Sequence, residues 1–152
     1  MAHMLLILFL FLAGLLSAVG LIGYGLATVG REWRRGLTAL LGAVAAACYA
    51  WGVLHVAGAV LGAEDGGTDS TPLRPCRTPG QEERASQVVD YSVDYVPLRF
   101  VCETADGGSY AAERVPGYVN PAVAVLALGA AGAGAAARKR SRERGAAQEP
   151  AG

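Results

Sequence analysis

Three long apolar runs, one polar interval holding two cysteines, and an uneven distribution of arginines predict a membrane protein. The expected fold is three transmembrane α-helices carrying a small extracytoplasmic antiparallel β-meander stapled by one disulfide. Of the 152 residues, 53% are hydrophobic and 17% charged, where an ordinary soluble domain carries about 25% charge. Residues 4–30, 37–63 and 119–137 are each long enough to cross a hydrocarbon core, which takes about 20 helical residues. A backbone in lipid has no water to bond, so each run should satisfy its own hydrogen bonds as a helix.

The formal net charge is zero, but its distribution is strongly segregated. The loop at 31–36 sets Arg31, Arg34 and Arg35 against Glu32. The tail at 138–152 opens with Arg138, Lys139 and Arg140. The interval 64–118 holds Arg74, Arg77, Arg84, Arg99 and Arg114 among twice as many acids. Basic residues in short loops stay on the cytoplasmic side. The expected topology is multi-pass in the plasma membrane, with the amino terminus outside, loop 31–36 inside, 64–118 outside and the tail inside. Such arginines hold topology and touch anionic headgroups, so the bilayer is the first partner and nucleic acid is not expected.

The first run has no Lys or Arg before it and no strong cleavage site, so it reads as a retained helix rather than a secretory leader. Its early residues are bulky and its later ones small. Gly14 and Ala18 form a small-xxx-small pair that lets a neighbouring helix approach. Trp33, among the loop arginines, suits the membrane interface. The second run is rich in alanine and glycine, and Gly58 and Gly62 make a GxxxG. Packing within the chain is the first reading of that pair, and homodimerisation the second. Cys48, Trp51 and His55 share one helix face. His55 is the ionisable group inside this span, which makes it the candidate for a cofactor or proton-handling role, against ordinary packing.

Residues 64–71 have turn composition and lack the ordered spacing of a calcium loop. Pro72, Pro75 and Pro79 make the next segment irregular, and residues 81–86 suit one helical turn. From Gln87 the period becomes two. Val89, Tyr91, Val93 and Tyr95 alternate with Asp90, Ser92 and Asp94, the pattern of a half-buried strand. Pro97 predicts a bulge or an edge. Leu98, Phe100 and Cys102 continue on the apolar face, and Asp106-Gly107-Gly108 predicts a hairpin turn into a strand at 110–115. About 55 residues make a marginal core, so a Cys76–Cys102 disulfide is expected on the oxidising side. Tyr118 reads as a second interfacial aromatic. Asn120-Pro121 reads as a helix start, with Asn as the cap. The tail beyond 137 is expected to be disordered.

A P-loop, GxGxxG, HExxH and GxSxG are all missing, and neither a catalytic set, a cofactor nor a metal is expected. The alanine, glycine and valine bias, the single Lys139 among arginines, and the stretches Pro97-Leu98-Arg99-Phe100-Val101-Cys102 and Pro116-Gly117-Tyr118-Val119-Asn120-Pro121 resemble small uncharacterised membrane proteins of high-G+C Gram-positive bacteria. That resemblance implies the layout and no activity. Three functional readings follow. The first is a non-enzymatic accessory or assembly subunit whose outer domain binds a membrane or extracytoplasmic protein. The second is a small redox or cofactor protein using His55 and Cys48. The third is a self-associating pore or transport element.

Overall fold

The computed structural model describes residues 2–65 and 73–147, with side chains for 4–65 and 73–143. The acidic linker expected at 64–71 lies mostly outside the described residues, as do 148–152 and the side chain of His3. Among the described residues four α-helices, one 3-10 turn and three strands run in the order α1 (Ala2–Val29), α2 (Trp33–Glu64), the 3-10 turn Arg74–Cys76, α3 (Glu82–Ala85), β1 (Val88–Tyr95), β2 (Leu98–Thr104), β3 (Ser109–Ala112) and α4 (Val119–Ala147). Among the described residues, α1, α2 and α4 are long and apolar enough to cross a membrane. The chain divides into two compact units: Met1–Leu12 with Tyr49–Asn120, and Ala13–Cys48 with Pro121–Gly152.

In the second unit, glycines set the helix spacing. A Cβ on Gly36 would lie 2.6 Å from the Val29 Cα, and one on Gly25 would lie 2.9 Å from the Leu40 Cγ. The missing side chains are what let α1 fold back on α2 so closely. Gly134 of α4 faces Thr38 of α2, and Ala18 is buried while Gly14 is half-buried. α2 begins at Trp33, earlier than the apolar run. α4 does not stop at 137: it continues through the basic cluster to Ala147. Arg, Lys, Glu and Ala are strong helix formers, and a helix already nucleated adds them at little cost.

The first unit is a sheet laid along the second half of α2. The three strands are antiparallel in the order β1-β2-β3. Tyr91, Val93 and Tyr95 stand opposite Cys102, Phe100 and Leu98, so these side chains share one face. Two contacts bracket that face against the helix. The Tyr91 hydroxyl donates to Glu64 at 3.0 Å, and the Tyr49 hydroxyl donates to the Tyr95 carbonyl at 3.0 Å. Between them, Val53, Val56 and Val60 of α2 and Leu98, Phe100 and Cys102 of β2 are all fully buried.

Two details depart from the alternation. The ladder slips between Val88 and Asp90, so Val88 is buried while Val89 is 67% exposed. The expected irregularity at Pro97 is instead a turn: Val96 and Pro97, joined by a cis peptide, link the paired residues Tyr95 and Leu98. Proline has no N–H to give a ladder, which suits it to that place. The second turn matches expectation, with Gly107 at φ +80° and the Gly107 N–H donating to the Thr104 carbonyl at 3.0 Å. β3 is shorter than the expected strand and stops at Ala112.

Candidate functional site

Cys76 and Cys102, 26 residues apart, form the expected disulfide. It pins the proline-containing segment around Cys76 to β2. That segment cannot join the ladder, so side chains tie it down instead. The Tyr110 hydroxyl donates to the Cys76 carbonyl at 2.7 Å. Arg114 donates through Nε to the Pro75 carbonyl and through Nη2 to the Arg74 carbonyl, both at 2.8 Å.

Asn120 does not act as a cap. Its Oδ1 accepts from the Leu98 N–H at 2.9 Å, and its Nδ2 donates to the Leu98 carbonyl at 3.0 Å. β3 pairs with β2 only between Phe100 and Glu103. Leu98 lies beyond that ladder, and its buried backbone polar groups need partners. The Asn120 amide supplies both. Val119, the first residue of α4, packs with Leu98 against Gly52, where a Cβ would lie 2.7 Å from each.

The faces of the sheet differ. The face toward α2 is apolar. The other carries Asp90, Ser92, Asp94, Arg99, Val101 and Glu103. Asp94 pairs with Arg99 at 3.3 Å, both half-exposed. Asp90 stands directly opposite Glu103, and both are exposed. The Asp90 carboxylate accepts from the Tyr91 N–H at 2.8 Å, and neither carboxylate has a cationic partner among the described residues. On the inner face, burial and then the Glu64 hydrogen bond push the Tyr91 phenol up to about 12.

His55 sits on the opposite side of α2. Its Nδ1 is 3.0 Å from the Trp51 carbonyl. A carbonyl only accepts, so Nδ1–H is the donor in this contact. The Trp51 ring meets His55 edge-on at 4.8 Å, and the Trp51 Nε1–H donates to the Tyr118 hydroxyl at 3.3 Å. The expected interfacial Tyr118 is thus tied to the histidine's neighbour. Cys48 is a free, half-buried thiol. Among the described residues no three His, Cys, Asp or Glu side chains are grouped as metal ligands.

Among the described residues the Gly58–Gly62 stripe is open. A Cβ on Gly58 would touch nothing within 4 Å, and one on Gly62 only the Pro75 ring at 3.8 Å. The stripe floors an open groove of about 460 Å³ between Trp51 and Pro75. In the other unit, Arg31, Trp33, Arg34 and Arg35 line a groove together with Arg140 and Ser141, so the loop and tail cations lie side by side. Arg138 borders a neighbouring hollow with Arg35. Arg35 itself is paired with Glu32 at 2.7 Å.

No family model matches the chain, and no curated protein or solved structure is similar to it. The site therefore stands on its own geometry. Sequence reasoning missed the Asp90–Glu103 opposition, because strand register is not visible before the bulge is known. It also missed the role of Arg114, whose partners lie about 40 residues away.

Proposed function

We propose that the chain is a multi-pass plasma-membrane protein, amino terminus outside and carboxyl terminus in the cytoplasm, acting as a non-enzymatic accessory or assembly subunit. Its β-domain faces outward and binds a protein partner through the polar face of the sheet. The topology is supported by the lengths of α1, α2 and α4 and by the two basic clusters lining one groove, as positive charge stays on the cytoplasmic side.

The observation that carries the partner reading is the pairing of Asp90 with Glu103. Like charges directly across a ladder destabilise a sheet by roughly 0.2–1 kcal/mol. A face kept rigid by a disulfide, open to solvent and holding an unrelieved repulsion is suited to a partner with a basic surface, which would relieve that repulsion on docking. The test is Glu103→Lys. Replacing a like pair by an opposite one should raise the stability of the β-domain by a few tenths of a kcal/mol or more. The same change should abolish co-purification of the partner in mild detergent. Retention of the partner by this variant, or repeated isolation of the wild-type chain alone, overturns the reading.

A further inference from the structure

We propose that the groove along α2 binds a single anionic phospholipid, its acyl chain lying over the glycine stripe and its phosphate between Arg74 and Arg114. This rests on the membrane reading above but not on the protein partner.

The groove changes character along its length. From Trp51 to Gly62 it follows one face of α2 for about 16 Å at the helical rise of 1.5 Å per residue. Leu54, Gly58, Ala59 and Gly62 line that stretch, and Pro75 closes its side. The missing side chains at Gly58 and Gly62 keep the floor open: nothing lies within 4 Å of a Cβ at Gly58. Beyond Gly62 the lining becomes cationic, with Arg74 and Arg114 both exposed. Among the described residues no carboxylate lines the groove and neither arginine has an acidic partner.

The Arg114 guanidinium is fixed in place by two backbone carbonyls through Nε and Nη2. Nη1 makes no hydrogen bond among the described residues. A planar, always-charged group held in this way has the geometry that favours a phosphate oxygen. The groove volume of about 460 Å³ lies within the roughly 300–1,000 Å³ of small-molecule sites. An apolar trough ending in two cations is complementary to a tail joined to an anionic head. A second copy seated on the glycine stripe would bring Arg74 and Arg114 against their own kind, which favours the lipid over self-association.

The experiment uses the full chain in nanodiscs of phosphatidylcholine with a minor share of phosphatidylglycerol, released and weighed by native mass spectrometry. Retention of a single phosphatidylglycerol per chain is expected, well above its share of the lipid. Arg74→Gln, an exposed change that removes no side-chain hydrogen bond or ion pair among the described residues, and Arg74→Gln with Arg114→Gln should weaken retention, the latter about tenfold. Gly58→Leu should also weaken it by filling the trough, with the disulfide intact. Equal retention of phosphatidylcholine, displacement by millimolar inorganic phosphate, or unchanged retention in all three variants overturns the proposal. So does a wild-type dimer that Gly58→Leu converts to monomer. Failure of the membrane reading looks different: the chain would be washed from membranes by alkaline carbonate.

Discussion

Gly52 holds the first unit together by having no side chain. It lies mid-helix in α2, where a glycine weakens the helix by up to about 1 kcal/mol relative to alanine. That cost is offset by the close approach of Leu98 and Val119, both fully buried. Gly52→Ala should therefore destabilise the protein by about 1–3 kcal/mol through overpacking, read as a lower melting temperature in detergent. Gly20→Ala, where a Cβ meets nothing within 4 Å, should leave it unchanged or slightly raised. Equal melting of the two variants would remove the packing role of Gly52. Asp106 gives a second test at this scale. Hydrogen bonds from the Thr104 hydroxyl and then from the Gly108 N–H hold its carboxyl below the usual range. A carboxylate depressed in the folded state adds stability that is complete above its unfolded value of about 3.9 and is lost as pH falls through the folded value. The Asp106 carboxyl should titrate by NMR below an ordinary aspartate, and Thr104→Val should move it back up. An ordinary midpoint in the wild type would contradict this.

The β-meander as an element depends on its staple. Its three strands lie along the second half of α2, and β3 spans only Ser109–Ala112. Closing a loop of 26 residues is worth about 3–4 kcal/mol in the chain-entropy model. Cys76→Ser with Cys102→Ser should lower the stability of this unit by about that amount. Amide exchange at Phe100 and Cys102 should then quicken, while the helix amides around Leu40 keep their protection. Uniform loss of protection along the chain would show that the staple acts on more than its own unit. The sequence made the disulfide legible, because two cysteines in a small polar interval have few alternatives. It also showed the Asp106–Gly107 hairpin turn, but read a bulge or an edge at Pro97 where the chain turns between Tyr95 and Leu98. It did not show that Val88 rather than Val89 points inward, because a bulge of one residue reverses the alternation behind it and leaves no mark in the composition.

For the whole molecule the charge pattern makes the decisive prediction. With the β-domain outside, a membrane-impermeant maleimide added to intact cells should label the Cys48→Ala chain only after reduction, at Cys76 and Cys102. Labelling only after the membrane is opened would invert the topology and place the β-domain in the cytoplasm. By itself the sequence determined the three apolar helices, the polar interval between the second and third, the cysteine pair and the separation of positive from negative charge, because these depend on local composition and on spacing along the chain. Only the tertiary structure decided that the sheet lies along α2, that Asn120 serves Leu98 instead of capping its own helix, and that the Gly58–Gly62 face opens into a groove ending at Arg74 and Arg114. Periodicity reports which face of an element is apolar. What that face meets is set by contacts between residues far apart in sequence, and these form only once the chain has folded.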